Sequence, residues 1–176
     1  DYLIGEIVNE EKLMEAINYY LENKLHYLRL VNTPKLRSKD NYLKVNNSRY
    51  AVNLQLAIWD KKALLDIVSK GEFSAWEFEK KMNDGEISVN LDNYYSSNKD
   101  IITIKNGVIK GKWYPGTVKY FLKKGINIKK DSTRKEMSFF ESTRYAIKGY
   151  LLKITPNFLV SIIKPLLKKI GFKFTT

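Results

Sequence analysis

The sequence predicts an α/β fold in which a mixed sheet carries flanking helices and is followed by amphipathic helices at the C-terminal end. Two kinds of apolar spacing support this prediction. Apolar side chains alternate from Tyr50 to Trp59, which is the period of a strand. They recur every three to four residues after Asn9 and after Asp60, which is the period of a helix. We therefore expect strands and helices packed together in layers.

Length and composition are those of a globular protein. A chain of 176 residues can bury ~68–70% of its unfolded surface as one domain. Hydrophobic residues make up 44% of it, and the mean hydropathy is -0.38. The sequence lacks a run of ~18 apolar residues, so we predict no membrane-spanning helix. It also lacks cysteine, which excludes disulfides, thiolate metal sites and cysteine nucleophiles and fits a reducing cytoplasm.

Positive charge is concentrated at the C-terminal end. The net charge is +12, yet residues 101–176 hold 17 Lys or Arg and three acids, whereas residues 1–100 hold 14 Lys or Arg and 16 acids. Such an asymmetry describes one surface of the protein rather than the whole fold. We predict an α/β domain at 1–130 and a basic, amphipathic helical region at 131–176.

The first elements follow from capping and periodicity. Residues 3–8 lean towards a strand, and Asn9 is a predicted N-cap of a helix that ends near Asn23. Residues 26–31 are predicted as a strand, and residues 35–48 as a polar, basic surface loop.

Two helices are predicted after the alternating segment. Asp60 can cap the first, whose apolar face is Leu64, Leu65 and Val68 and which ends at Gly71. The second starts with the capping box Ser74-Ala75-Trp76-Glu77, flanked by Phe73 and Phe78 as a hydrophobic staple, and runs to about Met82. The remaining predicted elements are strands at 86–91 and 100–105, a hairpin turn at Asn106-Gly107, a turn at 113–116 that opens a helix at 117–124, and helices at 135–153 and 157–170.

Gln55 and Trp59 are the first candidate binding residues. Dinucleotide, P-loop and nucleophile-elbow motifs are absent from the sequence. Ligands of α/β folds gather at the carboxyl ends of strands, so Gln55 and Trp59 are predicted to line a cleft. A Trp ring also offers a flat apolar face to a sugar. For Trp59 and Trp76 the alternative is packing in the core.

Two carboxylates are candidate catalytic groups. Glu77 occupies the N3 position of the capping box, which gives it a structural role as an alternative to a catalytic one. Glu79 has no capping role, and beside apolar neighbours its pKa could be raised to suit a general base. Its alternative is a solvated Glu paired with Lys80, Lys81 or Asn83. An open cleft that joins Gln55, Trp59 and Glu79 would favour catalysis, and a convex solvated surface would exclude it.

Several segments, in this order, resemble bacterial glycosyltransferases of capsule and surface-polysaccharide loci. They are an Asp-Tyr element at residues 1–2, Arg-Leu-Val at 29–31 before Pro34, Tyr-Ala-Val-Asn-Leu-Gln-Leu-Ala-Ile-Trp-Asp-Lys-Lys-Ala-Leu-Leu at 50–65, Gly-Glu-Phe-Ser-Ala-Trp-Glu-Phe-Glu at 71–79, and Gly-Lys-Trp at 111–113. The resemblance covers roughly residues 1–125.

The resemblance implies a GT-A-like domain that transfers a sugar from a nucleotide-sugar donor to a saccharide or lipid-linked acceptor. Asp1 would match the end of an acidic motif that holds a divalent metal, Mn²⁺ or Mg²⁺, against the donor diphosphate. Glu79 would match the base that deprotonates the acceptor, with Glu77 as the second catalytic candidate. The implied substrate-binding residues are Gln55, Trp59, Trp76, Lys112 and Trp113. Because the chain begins at Asp1 without a methionine, we expect it to be part of a longer protein whose N-terminal nucleotide-binding strands precede it.

Residues 157–170 predict an amphipathic helix. Apolar pairs lie on one face and Lys164, Lys168 and Lys169 on the other, with Pro165 dividing the segment. The pattern suits an anionic membrane surface, packing against the body, or a partner helix.

The leading hypothesis is therefore a surface-polysaccharide glycosyltransferase, cytoplasmic and peripheral at the inner face of the plasma membrane. Two alternatives belong to other classes. One is a basic, non-enzymatic nucleic-acid-binding module, which the alternation of lysines with aliphatic pairs disfavours. The other is a structural subdomain that is inactive on its own.

Overall fold

The computed structural model describes residues 2–32, 38–45, 52–129 and 133–154. Its elements are, in chain order, β1 (Tyr2–Ile4), α1 (Glu10–Glu22), β2 (Tyr27–Arg29), β3 (Tyr42–Lys44), β4 (Ala57–Trp59), α2 (Lys61–Val68), α3 (Ala75–Asp84), β5 (Tyr94–Ser97), β6 (Ile104–Asn106), β7 (Val108–Ile109), β8 (Lys112–Trp113), α4 (Pro115–Lys123) and α5 (Phe139–Ile154). The chain divides into two compact units. We call Ile4–Ile104 the sheet unit, and Asp1–Leu3 with Lys105–Thr176 the hairpin unit.

The sheet unit confirms a mixed α/β fold with a mixed sheet and flanking helices. Its four strands lie in the order β3-β5-β2-β4. The central strands β2 and β5 are parallel, with Tyr27 opposite Tyr94 and Arg29 opposite Ser96. The outer strands β3 and β4 are antiparallel to them. β1 and β6 form a separate two-stranded sheet.

The sheet separates two apolar cores, because successive residues of β2 point to opposite faces. Tyr27 packs in a core with Ile67 of α2 and Phe78 of α3. Leu28 packs in the other core with Ala16 of α1. The sheet unit is therefore a three-layer arrangement, with α1 on one face and α2 and α3 on the other.

The predicted starts of α1 and α2 are confirmed, whereas α5 begins at Phe139 rather than at residue 135. Asn9 Oδ1 accepts a hydrogen bond from Lys12 N at 2.9 Å, and Asp60 Oδ1 accepts one from Ala63 N at 2.8 Å. Each bond satisfies a backbone donor that the first helical turn leaves without a partner.

The predicted capping box and staple of α3 are also confirmed. Ser74 Oγ accepts from Glu77 N at 3.3 Å, and Glu77 Oε2 accepts from Ser74 N at 2.7 Å. The rings of Phe73 and Phe78 are 6.0 Å apart, so the staple is closed.

The long strand predicted from Tyr50 to Trp59 is wrong over its described part, since the strand begins at Ala57. The cause is that three consecutive N–H groups donate to side chains. Asn53 N donates to Tyr27 Oη, Leu54 N to Glu79 Oε1, and Gln55 N to Asn53 Oδ1. An N–H engaged by a side chain is lost to a strand ladder.

The hairpin predicted at Asn106-Gly107 is also wrong. β6 pairs with β1, and β7 pairs with β8 around Lys110-Gly111. These two residues have φ angles of 50° and 76°, as a type I′ turn requires. A Cβ on Gly107 would lie 3.0 Å from a side-chain carbon of Leu3, so this glycine permits close packing.

Four further predictions are corrected. The segment predicted as a loop at 35–48 contains β3, and the strand predicted at 86–91 is replaced by β5. In α2 the buried residue is Ile67, whereas Leu65 and Val68 of the predicted face are exposed. α2 ends at Val68 with Ser69 as its C-cap rather than at Gly71.

In the hairpin unit, α4 begins with Pro115 at its first turn, close to the predicted start. The boundary predicted at residue 130 lies inside this unit, next to residues outside the described ranges, and stays a prediction. The amphipathic segment 157–170 also lies outside the described residues. Within the part of the chain that the structure describes, no helix is both long and apolar enough to cross a membrane.

Candidate functional site

Buried polar side chains meet at the carboxyl ends of the parallel strands β2 and β5. Arg29, the last residue of β2, is 0% exposed, and its Nε donates to Ser96 Oγ of β5 at 2.8 Å. Burial lowers the pKa of the Arg29 guanidinium, and the neighbouring Tyr27 opposes this shift. The carboxyl ends of parallel strands are where open α/β sheets bind ligands, so this edge is the place to look for a site.

Tyr27 ties the segment before β4 to the sheet. Its hydroxyl donates to Asn53 O at 3.2 Å and accepts from Asn53 N at 3.4 Å. Burial raises the pKa of Tyr27 to about 12, although Arg29 and the bond to Asn53 act in the opposite direction. The phenol is therefore neutral at physiological pH and keeps its proton for the bond to Asn53.

Glu79 reaches from α3 to the same segment. Its carboxylate is half-buried, and Oε1 accepts from Leu54 N at 3.2 Å. Burial raises the pKa of Glu79, and the Leu54 hydrogen bond partly offsets the shift. The two lysines considered as partners of Glu79 pair with other acids. Lys80 Nζ lies 4.0 Å from Asp84 Oδ2, and Lys81 Nζ lies 3.1 Å from Glu86 Oε2. Glu79 is thus a desolvated carboxylate held by the backbone.

Gln55 follows Leu54 directly and carries an unsatisfied polar atom. Within the described ranges, Gln55 Oε1 is buried and has no hydrogen-bond partner. A buried acceptor without a partner costs free energy that a ligand hydroxyl or N–H would recover. The predicted placement needs one correction, because Gln55 precedes β4 and Trp59 ends it, so they lie at opposite ends of that strand.

The contacts of Trp59 are those expected of a side chain that packs against the core. Its ring lies 4.5 Å from Tyr27, 6.0 Å from Tyr94 and 6.4 Å from Phe78, measured between centroids. A role as a sugar platform stays a prediction. Trp76 lies in the first turn of α3, and its side chain is outside what the structure describes.

Glu77 serves the capping box and is the weaker base. Its pKa is lowered by hydrogen bonds from the backbone and side chain of Ser74. A lowered pKa reduces proton affinity, whereas the shift at Glu79 increases it.

The other candidate residues lie elsewhere. Lys112 and Trp113 form β8 of the hairpin unit, where Lys112 Nζ donates to Glu141 Oε1 at 2.6 Å. Asp1 lies outside the described residues. Among the residues that the structure describes, no group of three or more His, Cys, Asp or Glu could hold a metal ion. The bond from Leu54 N to Glu79 is the contact that links Glu79 to the segment of Gln55. Trp76 and Glu77 share α3 with Glu79, and Lys112 and Trp113 belong to the other unit.

Four polar residues of this edge were missed from the sequence. Tyr27, Arg29, Asn53 and Ser96 converge on one sheet face, although Tyr27 and Asn53 are 26 positions apart and Arg29 and Ser96 are 67 apart. One signal was available, because an arginine inside the apolar stretch Tyr27-Leu28-Arg29-Leu30-Val31 is unusual for a buried strand.

Comparison with protein families, with curated proteins and with solved structures finds no match to this chain.

Proposed function

We propose that this chain is the acceptor-side part of a GT-A-like glycosyltransferase that moves a sugar from a nucleotide-sugar donor to a growing, lipid-linked surface polysaccharide. The observation that carries the proposal is Glu79, a half-buried carboxylate with a raised pKa that accepts from Leu54 N in the segment before β4. Gln55, the residue after Leu54, has an unpartnered Oε1 that could accept a hydrogen bond from a sugar hydroxyl. The resemblance of residues 50–65 and 71–79 to capsule-locus glycosyltransferases gives the reaction class.

In the proposed reaction Glu79 is the general base. As an acceptor hydroxyl oxygen attacks the anomeric carbon, its proton passes to the Glu79 carboxylate, the bond from that carbon to the donor phosphate breaks, and the nucleoside diphosphate leaves. The bond from Leu54 N holds Oε1 in place, so Oε2 is the oxygen that takes the proton. A carboxylate whose pKa lies above its ordinary value of 4.5 is a stronger base than an exposed one.

The implied Mn²⁺ or Mg²⁺ belongs to the donor side of the reaction. The described residues offer it no cluster, so every proposed step concerns the acceptor side. We propose that the enzyme works at the inner face of the plasma membrane, where a lipid-linked acceptor would be located.

The test measures the release of nucleoside diphosphate when the protein is mixed with a panel of nucleotide sugars and saccharide acceptors, in the presence of Mn²⁺ or Mg²⁺. Glu79→Gln keeps an oxygen that can accept from Leu54 N but cannot take a proton, so we expect kcat to fall by about 100-fold or more. The matched control is Glu72→Gln, which changes an exposed carboxylate just before α3 and should leave kcat unchanged. Full activity of Glu79→Gln at an unchanged melting temperature would remove Glu79 from the mechanism.

The pH profile gives a second readout. Because the base acts deprotonated and its pKa is raised, kcat should rise with pH through a limb that lies above pH 4.5. That limb should disappear in any residual activity of Glu79→Gln.

A further inference from the structure

Two phenylalanines at the start of α5 are exposed to solvent. Phe139 is 82% exposed and Phe140 is 78% exposed. Ile147 lies seven residues after Phe140, which places both on one side of the helix, and it is 45% exposed. We call residues 138–147 the α5 tip. Large apolar side chains grouped in this way mark contact surfaces in proteins.

The α5 tip is held in this orientation by specific bonds. Ser138 Oγ accepts from Glu141 N at 3.2 Å, and Glu141 Oε2 accepts from Ser138 N at 2.9 Å, which forms a capping box. Just before it, Met137 is buried, and its N donates to Trp113 O of β8 at 2.9 Å. The start of α5 is therefore fixed by hydrogen bonds, while the rings of Phe139 and Phe140 remain in solvent.

The surroundings of the α5 tip are basic. Arg134 and Lys135 lie just before the tip, and both are exposed. The acids of this region that the structure describes are already paired, Glu141 with Lys112 at 2.6 Å and Glu136 with Lys129 at 2.7 Å. Arg144 lies one turn after Phe140 on the same side of α5. The partner of this surface is therefore expected to be anionic.

We propose that the α5 tip docks on an anionic phospholipid surface, with Phe139 and Phe140 inserted at the boundary between headgroups and acyl chains. Rings without a polar atom suit that depth, and the positive charge of Arg134, Lys135 and Arg144 favours an anionic headgroup layer. Ile147 favours lipid over nucleic acid, because an aliphatic side chain offers no ring for base stacking. The proposal goes beyond the transfer reaction, does not depend on Glu79, and places a membrane contact outside residues 157–170.

The experiment is cosedimentation of the whole chain with phosphatidylcholine vesicles that contain or lack phosphatidylserine. The wild type should bind the anionic vesicles and bind the neutral ones more weakly. Phe139→Ser/Phe140→Ser should bind anionic vesicles at least about tenfold more weakly, since the inserted apolar area is lost. The control is Ile7→Ser/Leu21→Ser, which removes two exposed apolar side chains from the sheet unit and should bind as the wild type does.

A second variant reports on insertion directly. The emission of Phe140→Trp should shift to the blue with anionic vesicles, and that of Ile7→Trp should not. Wild-type binding by Phe139→Ser/Phe140→Ser would overturn the proposal and assign the contact to other residues. Binding to RNA or DNA without binding to vesicles would overturn it as well. Glu79→Gln should bind vesicles normally, so the membrane contact and the transfer reaction fail separately.

Discussion

The two units use the same helix-start motif and direct their aromatic rings in opposite ways. In the sheet unit, the box of Ser74 and Glu77 begins α3, and Phe78 turns inward to 1% exposure. In the hairpin unit, the box of Ser138 and Glu141 begins α5, and Phe139 stays outside. A capping box therefore fixes where a helix begins, while the residues around it decide whether the rings stabilise the fold or remain available for binding.

The two units also differ in where they place charged side chains. The sheet unit buries the cation of Arg29 against Ser96 at one end of its parallel strands. In the described part of the hairpin unit, Glu141 pairs with Lys112 and Glu136 with Lys129 at partly exposed positions.

The largest expected contrast is between two phenylalanines. Phe78→Ala should lower the free energy of unfolding by about 3–5 kcal/mol, because it leaves a cavity between α3 and the sheet. Phe139→Ala should change it by no more than about 0.5 kcal/mol, because the ring is in water. Urea unfolding of both variants measures the difference, and equal losses would contradict the comparison.

The next contrast is between two arginines. Arg29→Met should cost about 1–3 kcal/mol, because it removes the donor to the buried Ser96 hydroxyl. Arg134→Met, at an exposed position, should stay within about 0.5 kcal/mol. The urea midpoints of the two variants measure this difference. A neutral Arg29→Met would mean that the buried bond contributes little.

Alkaline pH should lower the stability of the sheet unit. Tyr27 and Tyr94 both have pKa values raised to about 12, mainly by burial, so the folded state keeps protons that the unfolded state loses from about pH 10. Stability should therefore fall between pH 10 and 12, by up to about 1.4 kcal/mol per pH unit for each tyrosine. Tyr27→Phe should reduce that slope. An unchanged slope would show that Tyr27 loses its proton equally readily in the folded and the unfolded state.

The smallest contrast is between the two capping boxes. Ser74→Ala and Ser138→Ala should each cost about 1 kcal/mol at neutral pH. Hydrogen exchange should locate the loss in the first turn of α3 and of α5, respectively. A loss spread over the whole sheet unit after Ser138→Ala would contradict the division into units.

Local features of the fold could be predicted from the sequence, and distant ones could not. The caps at Asn9, Asp60 and Ser74 depend on residues three positions away, and all three are confirmed. Over its described part, the strand expected at Tyr50–Trp59 is interrupted because Asn53 N and Leu54 N donate to Tyr27 and Glu79, which lie outside the segment and leave no trace in its alternation.

The hairpin turn was misplaced for a related reason. Asn106-Gly107 has the more favourable turn sequence, yet Lys110-Gly111 adopts the turn because β6 is already paired with β1. The candidate site follows the same rule. Gln55 and Glu79 were found from their own segments, whereas Arg29 and Ser96 meet only once β2 and β5 pair.

The parallel pairing of β2 with β5 also sets the order in which the protein can form during synthesis. Tyr27 must wait for Tyr94, which is made 67 residues later, before the centre of the sheet exists. Until Ser97 has left the ribosome, β2 offers one open edge, and the core beneath α2 and α3 lacks Tyr94. β2 therefore keeps an open edge on the nascent chain until β5 has been made, and an open edge of this kind favours aggregation of the unfinished chain.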